Sequence, residues 1–198
     1  MMSHQEETLQ LMKETLQEEY LRYQLESFRI EEDEQKHCQI VARVSCSDDT
    51  VWTFEGDGVG ALDAFFLSMR ERLSEEYPSV KALIFSSVRT RNLPGSVQQH
   101  PTDATAEVSL RTLNSYNDEL EFVTTSRSFV RASLEAVVEA FQYFVNSERA
   151  YIRLFNALEY YRKEGRSELV DKYSSLLSQI VRNTSYSEVI ERLKSTDS

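Results

Sequence analysis

Between Cys38 and Cys46 apolar and polar residues alternate. Cys38, Ile40, Ala42, Val44 and Cys46 fall on one side, and Gln39, Val41, Arg43 and Ser45 on the other. A period of two is the signature of a strand with one buried face. Ser47-Asp48-Asp49 supplies turn chemistry, and Val51 to Phe54 returns as the next strand. Upstream, Leu25 to Ile30 reads as a first strand with Phe28 and Ile30 on one face, followed by an acidic turn from Glu31 to Glu34. Downstream the period changes. Leu62, Phe65, Phe66, Met69 and Leu73 recur at helical spacing, which predicts a helix over 61–73, with Pro78 closing that region.

The same succession then recurs. Val80 to Arg89 reads as a strand, apolar on both faces and so expected at the centre of a sheet. Residues 92–102 form a turn-rich loop, long enough to suggest a role of its own. Ala104, Ala106, Val108 and Leu110 alternate with Thr105, Glu107, Ser109 and Arg111; Asn114 to Asp118 turns the chain, and Leu120 to Val123 returns. A helix follows from Ser126-Arg127-Ser128 to about Asn146, with Ala132, Ala136 and Ala140 as a narrow seam. Both ends of the chain are helical in pattern. Residues 4–22 carry a stripe of Leu9, Met12, Leu16 and Tyr20. Residues 148–198 carry two stripes separated by Gly165, then a short helix that Ser185 and Glu188 would open with a capping box.

The pattern predicts an α+β fold of two pseudo-repeated strand-strand-strand-helix units, antiparallel sheets packed on helices. The expected divisions are an N-terminal helix over 1–22, a central domain over 23–147 and a helical extension over 148–198. The turns that open the two long helices repeat most clearly. Gly58-Val59-Gly60-Ala61-Leu62-Asp63-Ala64 and Ser126-Arg127-Ser128-Phe129-Val130-Arg131-Ala132 share small residues at the first and third places and Ala at the seventh.

Helix N-termini attract anions, so the Gly58-x-Gly60 turn invites a phosphate site as well as a plain sharp turn. No Gly-Lys-Ser/Thr follows Gly60, no third glycine completes a dinucleotide fingerprint, and Asp57 and Asp63 would repel phosphate. Composition favours the plain turn. A net charge of −11 opposes binding to nucleic acid or anionic membranes. There is no apolar run long enough for a transmembrane helix, and the acidic N-terminus lacks a signal-peptide core, so a cytoplasmic location is expected. His4, His37 and His100 lack partners at ligand spacing, and no nucleophile elbow is present. No catalytic residue, metal or cofactor is therefore expected. Cys38 and Cys46, eight positions apart on one strand, are too distant to pair and read as buried thiols.

Three segments together resemble the C-terminal regulatory, dimerising domain of α-isopropylmalate and citramalate synthases. The Gly58–Ala64 segment is similar to that family's Gly-x-Gly-Pro-Val-Asp-Ala, with Ala61 in the proline's place. Ser126–Ser133 is similar to its Ser-x-Asp-Ile-Val-x-Ala-Ser, with Ser128 in the place of Asp. Thr102-Asp103-Ala104 resembles the Thr-Asp-Ala that enters the fifth strand. The resemblance covers about residues 25–147. It implies a homodimer that binds leucine or isoleucine near the interface of two protomers and inhibits a separate catalytic barrel.

The implied effector residues are Gly58, Gly60, Asp63, Ala64, Thr102, Asp103, Ala104, Ser126, Ser128, Ala132 and Ser133. An amino-acid carboxylate suits free N–H groups at a helix start, and Asp63 or Asp103 suits its ammonium. The expected function is a non-catalytic, free-standing regulatory domain with a small amino-acid effector. The alternative is a protein-interaction module with a decayed ligand site, or the detached subunit of a separately encoded synthase. In that alternative Tyr151, Phe155, Tyr160, Tyr161 and Tyr173 dock the partner.

Overall fold

The computed structural model describes residues 3–35, 37–92 and 105–196. The chain enters through helix α1 (His4–Leu16), opened by a capping box in which Ser3 Oγ accepts from the Glu6 N–H and the Glu6 carboxylate accepts from the Ser3 N–H. A short 3-10 turn, Gln17–Glu19, takes the place of the last turn of the longer helix that the pattern suggested. Strands β1 (Tyr23–Glu32), β2 (Cys38–Cys46) and β3 (Val51–Gly58) form an antiparallel sheet in that order. Helix α2 (Ala61–Ser74) buries Phe65, Phe66, Met69 and Leu73. Each such burial is worth about 1.5–3 kcal/mol as an upper bound. Cys38 and Cys46 are buried free thiols at the two ends of β2.

The second unit has β4 (Ile84–Asn92), β5 (Ala106–Leu113) and β6 (Glu119–Ser126), a second antiparallel sheet in chain order. Helix α3 (Phe129–Lys163) follows, then α4 (Ser167–Val181) and α5 (Ser187–Thr196). One shift of 68 residues carries Val51–Gly58 onto Glu119–Ser126 and Ala61 onto Phe129, the first residues of the two helices. It also carries Asp49 (φ 66°) onto Asn117 (φ 63°), the left-handed turn residues of the two hairpins. Both first strands bulge at the same register. Glu26 is extra opposite Val44 and Arg43, and Ser86 is extra opposite Thr112 and Arg111.

The first strands are closer in sequence than the rest, 60 residues from Leu25 to Phe85, so the second unit's opening connection is eight residues longer. Most of the turn-rich 92–102 segment falls there, outside the described residues.

Several further expectations need correction. Val80 to Ala82 are not strand: Pro78 starts a 3-10 turn over Pro78–Ala82, and β4 begins at Ile84. Among the described residues β4 pairs only with β5 and is an edge strand, while β5 takes the centre. The apolar character around Val80 and Leu83 comes from burial where the two units join. The Ser185–Glu188 capping box does not form, because Glu188 forms an ion pair with Lys81 and Ser185 Oγ faces Ser187.

The helix expected to end near Asn146 runs on to Lys163 without a break, burying Ser147, Glu148, Ala150 and Tyr151. The Phe66 and Phe141 rings, 5.1 Å apart, join α2 to α3. The C-terminal helices are bonded to this core. Tyr186 stacks on Tyr151 at 4.4 Å and its hydroxyl shares a 2.6 Å hydrogen bond with Ser147. Asn183 Nδ2 donates to Ser147 Oγ, and Asn114 Nδ2 donates to the Asn183 carbonyl. The tail aromatics mostly stack within the chain: Tyr151 also lies over Phe155, and Tyr161 over Tyr173, while Tyr160 stays exposed.

Candidate functional site

The first helix start is built by close approach. A Cβ at Gly58 would lie 3.2 Å from the Ala64 N, Cα and Cβ atoms, so the strand end and the first helical turn touch through glycine. Gly60 is the N-cap, in extended backbone, and contributes no side-chain cap. Its carbonyl accepts from the Ala64 N–H at 2.9 Å. Asp63, half-buried, is the acid of the first turn, where a carboxylate complements the positive end of the helix. Ala64 itself is fully buried.

The second start follows the same path with different chemistry. Ser126 Oγ accepts from the Ser128 N–H, and Ser128 Oγ caps α3 by accepting from the Arg131 N–H, each at 3.2 Å. Ala132 is fully buried, and Ser133 Oγ donates back to the Phe129 carbonyl at 2.9 Å. Where the first unit has Asp63, the second has Arg131. That guanidinium reaches into the first unit, donating to the Leu25 carbonyl at 3.0 Å and lying over the Phe28 ring. Thus α2 begins uncapped and acidic, while α3 begins capped and tied down.

The structure brings together Gly58, Gly60, Asp63 and Ala64 at one helix start, and Ser126, Ser128, Ala132 and Ser133 at the other. Among the described residues, no hydrogen bond or ion pair links the two sets; Thr102, Asp103 and Ala104 lie outside those residues. Three large apolar side chains remain exposed at these starts: Val59 at 89%, Phe129 at 48% and Val130 at 38%. A surface for association has this character.

One set of residues was not singled out from sequence. Arg131, Gln142 and Asn146 form a polar stripe on α3 that serves the outer edge of β1 and the segment leading into it. Gln142 Oε1 accepts from the Tyr23 N–H at 2.6 Å. Asn146 both accepts from the Leu21 N–H and donates to the Leu21 carbonyl. Without them that edge would present bare backbone groups. The available signal was three polar residues spaced 11 and 4 apart, a spacing that puts them on one face of the helix.

Among the described residues, no helix is long and apolar enough to cross a membrane. Residues 4–145 match the LeuA allosteric (dimerisation) domain. Among curated protein sequences none matches the chain.

Proposed function

We infer the function from one premise: the chain belongs to the LeuA allosteric (dimerisation) domain family. Regulation and association of two copies are the roles which that membership supports. We propose further that the domain carries no catalysis of its own and binds a branched-chain amino acid, leucine or isoleucine, at the start of α2. The observation that carries this reading is the uncapped helix start at Gly60, with Asp63 beside it and Val59 exposed. The free N–H groups suit a carboxylate, Asp63 suits the ammonium, and a second copy covering Val59, Phe129 and Val130 would enclose the aliphatic side chain. Ser128 fills the equivalent position at α3 with its own hydroxyl, so the second start is the weaker binder.

Light scattering on the purified chain tests pairing, and calorimetry with leucine, isoleucine and valine tests the ligand. The expected result is a dimer with saturable heat from one of the three, weakened by Asp63→Ala. A monomer at micromolar concentration overturns the pairing. Absence of heat from all three overturns the ligand.

A further inference from the structure

A cleft of about 780 Å³ lies apart from both helix starts, between the Gln5–Leu9–Lys13 face of α1, the first residues of β1, the end of β2, β6 and α3. Its walls come from both units. Lys13 and Arg22 line it, both exposed, and among the described residues neither side chain has an ion pair or hydrogen bond. In a chain of net charge −11, two unmatched cations on one cleft are conspicuous. Two carboxylates share the lining. Glu121 is already engaged, by the Ser109 hydroxyl and by Arg111 at 3.2 Å, a guanidinium it shares with Glu119, which leaves Glu139 as the unengaged carboxylate. Burial and the neighbouring Glu135 raise the Glu139 carboxyl, as expected for an acid without a cationic partner. Tyr20 and Gln142 complete the polar wall, and the Tyr20 hydroxyl feels Gln142, Arg22 and Glu139, all of which line the same cleft.

We propose that this cleft binds an acidic α-amino acid, its two carboxylates on Lys13 and Arg22 and its ammonium on Glu139. The charge count favours that class over a branched-chain one: two free cations and one free carboxylate match two carboxylates and one ammonium. Leu9, Phe122 and Val123 add apolar surface to the lining, and Lys13, Arg22, Glu139, Gln142 and Tyr20 supply the hydrogen-bonding and charged contacts that an acidic amino acid needs. Bound there, the ligand would brace β6 of the second unit against the β1–β2 end of the first. The site is independent of the one at α2, since Gly58, Gly60 and Asp63 do not line it.

Calorimetry on the full chain with L-glutamate and L-aspartate, beside L-leucine, tests it. One of the two acids gives saturable heat, weakening as salt is raised. Lys13→Met and Arg22→Met each weaken binding about tenfold, the loss expected for one charge-assisted contact. Asp63→Ala leaves it unchanged. Both cations are exposed, so a thermal melt matching the parent shows that the variants remain folded. No saturable heat from either acid overturns the proposal. So does binding that persists in the Lys13→Met, Arg22→Met double variant, or that disappears with Asp63→Ala. Leucine binding without glutamate or aspartate binding removes this site and leaves the one at α2; the reverse removes that one and leaves this.

Discussion

Two residues before the end of β3 the first unit has Gly56, and 68 positions later the second has Thr124. A Cβ at Gly56 would fall within contact distance of the Ala64 carbonyl oxygen and 2.9 Å from its carbon. Thr124 Oγ1 donates a 2.6 Å hydrogen bond to the Ala132 carbonyl, the counterpart of that same group. One backbone plan is therefore closed in two ways. In the first unit the helix comes down onto bare backbone and fills its space with Phe65, Phe66 and Met69. In the second a hydroxyl bridges strand and helix, and the helix carries Ser133, Leu134 and Val137 at the matching places. The strand phenylalanine is kept in both, meeting Phe65 from Phe54 in one and Tyr143 from Phe122 in the other. The packing chemistry of a repeat can thus diverge while its register stays fixed.

Moving the second unit's solution into the first is the strongest way to break this comparison. Gly56→Thr has no room, because the group it meets is backbone rather than the tip of a side chain. The expected cost is about 3 kcal/mol or more, read from urea denaturation. A variant of parent stability would show that α2 rides as freely on its sheet as α3 does.

Next in size is a difference of length. α2 has 14 residues and α3 has 35, and the extra turns bring in Glu148. This buried carboxylate accepts from the Ser79 N–H at 2.8 Å, where the two units join. Burial raises its pKa, against the opposing pull of Ser79 and Arg192. A raised carboxyl favours the folded state when protonated. Its contribution is full below the unfolded carboxyl pKa and is lost as pH rises through the folded value. Glu148→Gln keeps an acceptor for Ser79 without the charge. Stability measured from acid to neutral pH should then fall less steeply than in the parent, with the variant more stable at neutral pH. An unchanged slope would place the pH dependence elsewhere.

The strands of the repeat were legible because their register is written in alternation, as at Cys38–Cys46, and in turn residues such as Asp49 and Asn117. The helix start was legible as a motif, but what Gly56 and Gly58 do was not: glycine records freedom, whereas the close approach to Ala64 is a fact about the partner element. The strand expected from Val80 failed for a related reason. Pro78 locks the backbone into a 3-10 turn, and the apolar residues after it are buried by neighbours distant in sequence. The polar stripe on α3 escaped notice because its purpose depends on a strand edge more than 100 residues earlier. Of the candidate site, each helix start was readable by itself; which start is open and which is capped follows from side-chain direction.

A smaller perturbation asks what the Thr124 hydroxyl contributes. Thr124→Val keeps the shape and removes the donor, leaving a β-branched side chain against the Ala132 carbonyl. The loss should be about 1 kcal/mol, well below that of Gly56→Thr. A cost as large as Gly56→Thr would mean that hydrogen bonding rather than filled space sets the height of α3.

The smallest effect on stability comes from exchanging the caps, and it bears most directly on function. Gly60 is an extended N-cap with open space where its Cβ would stand, so Gly60→Ser fits and supplies the hydroxyl that Ser128 supplies at α3. Serine and glycine differ by only a few tenths of a kcal/mol at this position, so Gly60→Ser should gain that much and Ser128→Gly should lose it. If the α2 start is where a carboxylate lands, the new hydroxyl competes for the same N–H groups. Leucine or isoleucine binding should then weaken in Gly60→Ser while the melting temperature hardly moves, and Ser128→Gly should leave binding intact. Equal binding in the parent and both variants would show that the open cap of α2 is a packing consequence of the Gly58–Ala64 contact and has no part in holding a ligand.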